Sequence, residues 1–587
     1  MLGKVTSLSE NIVEVTIENG LSEVKNLLNY HVIFEESNLK IVGEIKEIDS
    51  KFIKVNLLGE IRNGVFVAGI VKKPSIDSQC RIIQKAELDI IIGNSDATEV
   101  KKIYMGKMPL YDNYPVSVNV NDFFAYHFSV FGNTGSGKSY SVARILQNAF
   151  YNKNAIPKNA RIFIFDAYGE YKDAFSRLKD VSLDLNFKSY TTDLNFPDTD
   201  ILQLPVWFLG VDDLALLLGA DNHIQLPIIE KALKLVSIFA RNDDNVIQYK
   251  NDIIARALLD ILYSGNPASQ TRDHLLAILT AFNTKDLNLE TKVSQPGYIR
   301  TLGQCLLIDK DGKLHEMQLV TEFISQFVKE GLVLNFPDGT YPYTLEHLKE
   351  AFDFALISEG VLNSDKVYDY ANMLKVRLNS LVSGDAHRYL EYPEFITKEA
   401  YIKKLLVTDD GKTAQIVNFN IEYVDDRLAK VITKIYSKLL YDYVSSLQDK
   451  ASFPVHIILE EAHRYVQNDN DQFLLGYNIF DRITKEGRKY GILLGLISQR
   501  PSELSETALS QCSNFLIFKM VHPQDTMFIK NMVPNITNEI VEKLKTLQPG
   551  TCIAFGSAFK IPTIIHFDFP DPRPSSHNAN IGEEWYK

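Results

Sequence analysis

The chain has 587 residues and a net charge of −12, with 45% hydrophobic and 23% charged residues. That length exceeds what one hydrophobic core supports, so three or four structural units are expected. Four cysteines without a C-x-x-C pair exclude a disulfide framework and give no zinc-site spacing. No apolar run is long enough to span a bilayer, and the acidic balance argues against a passive, basic nucleic-acid-binding module.

Residues 1–100 predict a β-rich unit. The N-terminus enters strand-like alternation at once and shows no signal-peptide core, so a reducing cytoplasmic setting is expected. Val13, Val15 and Ile17 alternate with polar residues and meet a turn at Asn19-Gly20, and Ile53, Val55 and Leu57 alternate again. Asn63-Gly64 ahead of Val65-Phe66-Val67 is a hairpin signal. Short strands at this spacing predict a small barrel or sandwich. No catalytic cluster falls here, and an assembly or docking module and a plain structural cap fit equally well.

Residues 101–205 carry the strongest motif. Gly132-Asn133-Thr134-Gly135-Ser136-Gly137-Lys138-Ser139 fits the phosphate-loop pattern G-x-x-x-x-G-K-[ST], in which backbone N–H groups close around a polyphosphate, the lysine reaches the β- and γ-phosphates and the hydroxyl ligates Mg²⁺. Residues 125–131 (AYHFSVF) read as a buried strand entering the loop. From Ser139 and Tyr140 onward, Val142, Ile145, Leu146 and Phe150 recur at helical spacing, so a helix N-terminus adds its partial positive charge to the anion site. A second buried strand, 161–165 (RIFIF), ends in DAYGEY. Strand, helix, strand opens a parallel α/β sheet, whose ligands bind just past the C-terminal strand ends. Asp166 and Glu170 there have two readings, indirect ordering of water or metal (or a subunit contact) and a capping Asp with a surface Glu.

Residues 206–385 turn helical. Residues 211–218 (VDDLALLL) open the run, and Ile228, Ile229, Ala232, Leu233, Val236 and Phe239 form one apolar face, read as core. Further helical patterns lie at 253–262 and 319–327, and the whole reads as an insertion between two halves of the sheet. Residues 386–570 return to α/β, with strand patterns at 414–419, 454–459, 490–498, 514–518 and 551–555 and a helix at 427–444. The strand 454–459 ends in Glu460-Glu461. Two adjacent carboxylates beside phosphates are costly without a cation. Glu460 is therefore read as the residue ordering Mg²⁺ and Glu461 as the group polarising the attacking water. Gln499 follows the next strand, where a neutral amide can sense the γ-phosphate. A ring ATPase also needs a cation delivered to the neighbour's γ-phosphate. Arg488, with its fixed fork of donors, is the first candidate, and Lys489, Arg144 and Arg500 compete with it. His127 and His463 read as structural histidines. The loop 467–472 (QNDNDQ) lacks cations, and residues 571–587 form a Pro- and Ser-rich tail with Trp585 near its end.

Four stretches, GNTGSGKS (132–139), DAYGEY (166–171), LEEAHR (459–464) and KEGRKYGILLGLISQRPSELSETALSQCSNF (485–515), together resemble the HerA family of the HerA/FtsK ATPases. The resemblance covers essentially the whole chain. It implies an α/β, RecA-like P-loop ATPase core with an N-terminal β-barrel (1–100, docking or assembly), a helical insertion (206–385) between core halves 101–205 and 386–570, and a C-terminal arm (571–587) laid across a neighbouring subunit. It further implies a homo-hexamer with ATP and Mg²⁺ at subunit interfaces and double-stranded DNA in the centre. Residues 133–140 with Lys138 and Ser139 would bind nucleotide, Ser139 and Glu460 the metal, Glu461 would activate water, Gln499 sense it, and Arg488 act in trans. An effector is implied as well, a NurA-type nuclease or a sirtuin-like NAD-degrading or nuclease defence protein docked on the barrel. A DNA translocase and an ATP-dependent scaffold ring both fit this pattern, whereas a monomeric small-molecule kinase leaves barrel, insertion and tail unexplained.

Overall fold

The computed structural model describes the chain except for residues 10–11, 18–26, 37–38, 95–100, 153–155, 196–199, 242–243, 296, 332–340, 361–364, 470, 534–535, 576–579 and 587. The Asn19-Gly20 turn, Asn470 of the 467–472 loop and residues 576–579 and 587 of the tail lie outside the described residues. The chain divides into two compact units, one comprising Met1–Asp200, Leu405–Asp469 and Ile479–Lys587, the other Ile201–Lys404 and Asn470–Asn478.

In the first unit, seven strands, β1 (Gly3–Leu8), β2 (Ile12–Ile17), β3 (His31–Glu36), β4 (Leu39–Ile48), β5 (Phe52–Arg62), β6 (Val65–Ala68) and β7 (Gln79–Ile82), form one sheet. Its order β2-β1-β7-β3-β4-β5 is closed by antiparallel pairing of β2 with β5, which makes a six-stranded barrel with β6 added beyond β5. Alternation puts Val5, Val13, Val15, Val32, Phe34, Ile41, Ile45, Ile53 and Val55 into the interior, as a period of two requires. Register shifts at Val42/Gly43 and Ile45/Glu47 bend β4 around β5. Asn63 (φ 49°) and Gly64 (φ 77°) supply the two positive φ angles of a two-residue hairpin turn, so Arg62 pairs with Val65.

The helix Lys85–Ile92 follows the barrel, and Glu87 in its first turn is the fastener. Arg81 grips Glu87 with two guanidinium nitrogens (2.8 and 2.7 Å), and Lys40 donates to it at 2.7 Å. Burial pushes the Glu87 carboxyl up, but Arg81, Lys40 and the Gln84 amide outweigh it and hold the pKa down at about 2. A depressed carboxylate pKa contributes stability above the unfolded value, near 4.5, that is lost as pH falls towards 2. Glu87→Gln is accordingly expected to melt lower than wild type at pH 7 and to show a flatter dependence of melting temperature on pH between about 4.5 and 2. Parallel slopes for the two proteins in that window would remove the fastener.

The remaining strands of this unit are β8 (Lys102–Met108), β9 (Tyr114–Asn119), β10 (Phe128–Phe131), β11 (Ile162–Asp166) and β12 (Phe187–Thr191). After a hairpin of the second unit, β13 (Lys292–Gln295) and β14 (Tyr298–Thr301), come β15 (Ile416–Asn420), β16 (Val455–Leu459), β17 (Ile492–Ser498), β18 (Asn514–Ile517), β19 (Thr551–Gly556) and β20 (Phe559–His566). Apart from β13 and β14 they build one sheet in the order β12-β15-β11-β16-β17-β10-β18-β19-β20-β8-β9. It is parallel from β12 to β18 and antiparallel from there to β9. The central strands are buried on both faces, which is why they read as continuous apolar runs rather than alternations. Barrel residues Ile33, Val42, Ile61 and Phe66 share one apolar cluster with Ile103, Met105, Val130, Ile145 and Ile565, so barrel and sheet have a common core.

The second unit is mainly helical, with long helices Gln225–Phe239, Asp244–Tyr263, Ala268–Ala281, Leu345–Gly360 and Asp365–Ser383. In Gln225–Phe239, Ile228, Ile229, Ala232 and Val236 are buried with Leu235 and Ile238, whereas Leu233 is half-buried. Phe239, also half-buried, packs its ring on Phe282 and Phe354. The four cysteines are free and buried. Among the described residues no helix is long and apolar enough to cross a membrane.

Candidate functional site

Strand order assembles the site. β16, β17 and β10 are adjacent and parallel, so Glu460-Glu461, Gln499 and the loop 132–137 emerge side by side at their C-terminal ends, where open α/β sheets bind ligands. The helix Lys138–Phe150 begins directly after the loop. Gly137, its N-cap, has φ 104°, a left-handed conformation that glycine adopts without strain. The loop is braced by hydrogen bonds from Asn133 N to Lys519 O (2.9 Å), Ser136 N to Asn133 O (3.1 Å) and Gly550 N to Ser136 O (2.8 Å). The Ser136 hydroxyl is buried with no hydrogen-bond partner.

The loop and the acids meet at one contact. Ser139 Oγ donates to Glu460 Oε1 at 2.8 Å across 321 sequence positions. Lys138 is buried, 8% exposed, and its Nζ donates to Asn133 O at 3.2 Å. Burial lowers the Lys138 pKa against the attraction of Glu461, Glu460 and Glu170. Glu460 is pushed well above the carboxylate range by burial and then by the nearby Asp166 and Glu170 carboxylates. Its Oε2 is buried and has no hydrogen-bond partner.

A hydroxyl, a carboxylate and an unused buried carboxylate oxygen form a hard-oxygen donor set that fits Mg²⁺. That ion takes one or two protein ligands and fills its octahedron with phosphate and water. No cluster of three or more His, Cys, Asp or Glu side chains arranged as a cage occurs among the described residues, and such an ion needs none.

Glu461 sits in the left-handed region (φ 48°) at the turn from β16 into a short 3₁₀ helix, Ala462–Arg464. Non-glycine residues are held there only when their surroundings over-determine them. Gln499 Nε2 donates to Glu461 Oε1, and the Thr134 hydroxyl donates to Gln499 Oε1. His463 Nδ1 lies 3.3 Å from Glu461 Oε2 and within hydrogen-bonding distance, 3.2 Å, of Ser498 Oγ. A polar chain thus runs from the loop through Gln499 to Glu461.

Of the other residues singled out from the sequence, Asp166 is fully buried. It accepts from the backbone N–H of Glu170 (3.0 Å) and Tyr171 (2.9 Å) and from Asn418 Nδ2 (3.2 Å), bracing the turn into the short helix Tyr171–Ala174, while its charge also acts on Glu460. Glu170 faces the site electrostatically. Burial raises its pKa, then Asp166, opposed by Ser139. Tyr140 is half-buried, its ring 6.4 Å from that of Phe569. Arg488 is exposed on the helix Ile479–Tyr490, its guanidinium 4.0 Å above the Tyr126 ring. Lys489 and Arg500 are also exposed, and Arg144 is half-buried. His127 accepts the Leu494 N–H at 2.9 Å and is held to a pKa of about 4, chiefly by burial. In the 467–472 loop, Asp469 pairs with Lys430 at 3.1 Å and with Lys434.

Sequence reasoning missed Thr134 as partner of Gln499, His463 as neighbour of Glu461, and Asn418 as partner of Asp166. Asn418 alone left a signal, being the one polar residue inside the apolar run 416–419.

A phosphate loop, a buried carboxylate pair and a strand-end amide on a predominantly parallel sheet define a P-loop nucleoside triphosphatase. The family described as "Helicase HerA, central domain" matches residues 103–440, more than half of the chain, and the chain belongs to that family. It is 23% identical to a probable helicase of Methanocaldococcus jannaschii over 583 residues, 98% of this chain and 86% of the relative. It is 23% identical to the DNA double-strand break repair helicase HerA of Pyrococcus furiosus over 575 residues, 96% of this chain and 85% of that one. The HerA of Sulfolobus acidocaldarius shares 35% over 133 residues, 23% of this chain and 26% of that protein. Among solved structures, VirB4 of Thermoanaerobacter pseudethanolicus aligns at 14% identity and a TM-score of 0.39, covering 82% of this chain and 98% of its own. The plasmid coupling protein TrwB with a non-hydrolysable ATP analogue aligns at 13% and 0.41, covering 84% and 95%.

Proposed function

We propose that this protein is a hexameric, ATP-driven double-stranded DNA translocase that serves a nuclease or NAD-degrading effector docked on its barrel, in DNA processing or phage defence in the cytoplasm. The observation that carries the reading is the 2.8 Å Ser139–Glu460 contact, which joins the phosphate loop to the paired acids. A relative named a DNA double-strand break repair helicase that aligns along nearly the whole chain supports DNA as the substrate.

In this reading the backbone N–H groups of residues 133–139 enclose the triphosphate and Lys138 neutralises its β- and γ-oxygens. Ser139 and Glu460 hold Mg²⁺, which when bound supplies positive charge to the phosphate oxygens. Glu461 accepts the proton of the attacking water as its oxygen adds to the γ-phosphorus and the bond to the β-phosphate oxygen breaks. Gln499, released from Glu461 as the γ-phosphate arrives, hydrogen-bonds the water or the phosphate and passes the state of the site to Thr134. Arg488, exposed and with its guanidinium over the Tyr126 ring, serves the γ-phosphate of the adjacent subunit, where a guanidinium fork stabilises charge spread over equatorial oxygens.

Translocation is tested by ATP-dependent displacement of a triplex-forming strand from duplex DNA. Wild type is expected to displace it and to hydrolyse ATP faster when duplex is added, both effects weakening as salt rises. The net charge of −12 favours a second reading, a scaffold ring that activates its effector without moving DNA. Effector activation by ATP with no strand displacement would select it.

The tail contributes to assembly in the proposal. Residues 581–586 are exposed, Trp585 at 77% and Tyr586 at 87%, and large aromatics left in water are suited to a groove on another subunit. Truncation after Asp571 is expected to shift the hexamer towards smaller species in multi-angle light scattering. An unchanged mass would reject the arm.

A further inference from the structure

Residues 567–575 leave β20 and are fastened beside the phosphate loop by backbone and side-chain bonds. Phe567 N donates to Gly550 O (2.9 Å), and Gly550 N in turn donates to Ser136 O of the loop (2.8 Å). Asp568 accepts from Tyr104 (2.9 Å) and Lys107 (2.7 Å). Gln147, fully buried on the phosphate-loop helix, accepts from Asp571 N (2.9 Å) and donates to Pro572 O (2.8 Å). Ser575 N donates to Glu170 O at 3.0 Å.

On this fastened segment stands one large apolar side chain in water. Phe569 is 66% exposed. Its ring meets that of Tyr140, the residue after Ser139, at 6.4 Å and 74°, and the Arg573 guanidinium lies 4.6 Å above it. The arrangement combines a hydrogen-bonded backbone, a largely exposed aromatic ring, an edge-on aromatic and a cation, beside the residue that follows the hydroxyl ending the phosphate loop.

We propose that Phe569, flanked by Tyr140 and Arg573, is the platform on which the base of a bound nucleoside triphosphate stacks. The inference rests on the reading of residues 132–139 as the triphosphate site. Stacking uses the π-face that every base has, so adenine and guanine nucleotides are both accepted.

The test is calorimetric titration of the full-length protein with non-hydrolysable ATP and GTP analogues and with inorganic tripolyphosphate, which carries the phosphates without a base. Loss of one base–aromatic stack corresponds to about a tenfold change in affinity. Phe569→Ala is expected to weaken both nucleotides about tenfold and leave tripolyphosphate unchanged, and Phe569→Trp to retain wild-type affinities. Lys138→Ala is expected to weaken all three. Unaltered tripolyphosphate binding also reports that the loop in the Phe569 variants is intact. If Phe569→Ala is silent, weakens all three ligands equally or changes only the oligomeric state, the platform is overturned while the phosphate site stands. If tripolyphosphate does not bind wild type, or Lys138→Ala leaves it unaffected, the phosphate site itself falls and the platform with it.

Discussion

Glu461→Gln is expected to hydrolyse ATP about 10²–10⁴-fold more slowly than wild type, the range for losing a positioned general base, while nucleotide affinity stays near the wild-type value. The two side chains have the same length and shape. The amide can keep one contact with Gln499 but takes no proton from water. The surroundings of Glu461 support that expectation. Glu461 Oε1 is engaged by Gln499, Oε2 is buried without a hydrogen-bond partner, and the residue is held at φ 48°. In the proposed mechanism this carboxylate is the base, and a non-glycine residue held in the left-handed region by its surroundings is common at functional sites. Single-turnover hydrolysis measured beside equilibrium binding of ATP separates the two effects. Turnover equal to wild type would remove Glu461 from the chemistry, and lost binding would make it a structural acid. Gln499→Ala should be milder, because it removes a hydrogen bond to the water or phosphate and leaves the base in place.

The parts of the site carried by contiguous residues were legible in the sequence. Residues 132–139 announce themselves because a turn that wraps phosphate needs glycine at fixed offsets and a lysine beside them, and no other common structure asks for that pattern. Glu460-Glu461 could be read because an apolar strand ending in two carboxylates is too costly to be accidental beside phosphates. The hairpin at Asn63-Gly64 was legible for the same local reason, two positive φ angles in succession.

What depended on partners far along the chain was not legible. Nothing in residues 102–119 tells a reader that β8 and β9 extend the nucleotide-binding sheet rather than the barrel, because the strand through which β8 joins it, β20, lies more than 400 positions away. The same holds for Thr134 with Gln499, separated by 365 positions, and for Glu170, whose place near Ser139 is set by the turn that Asp166 caps. Periodicity did locate the face of the helix Gln225–Phe239, but it understated its width, since Leu235 and Ile238 are also buried. A helix packed on several sides buries more than one stripe.

Gly137→Ala tests whether the phosphate loop's shape, rather than its charge, is what the sequence protects. At φ 104° an alanine is strained wherever it sits. A Cβ built on Gly137 would also lie 2.9 Å from Gly550 N and 3.0 Å from Gly550 Cα, backbone atoms that cannot swing aside as a side chain can, while that same N–H is bonded to Ser136 O. Strain of about 1–3 kcal/mol and overpacking of about 1–3 kcal/mol together approach the lower end of a domain's whole stability. The loop is therefore expected to relax out of its phosphate-binding form, with ATP affinity weaker by about 100-fold or more (about 3 kcal/mol) and a melting temperature several degrees lower. Gly135→Ala is the internal control. Gly135 also has a positive φ, 73°, but a Cβ there meets nothing within 4 Å. That variant bears the strain alone and is expected to melt measurably above Gly137→Ala. Equal melting temperatures for the two would mean that Gly550 yields, and that the contact between the loop and the 548–550 turn does not hold the phosphate site in shape.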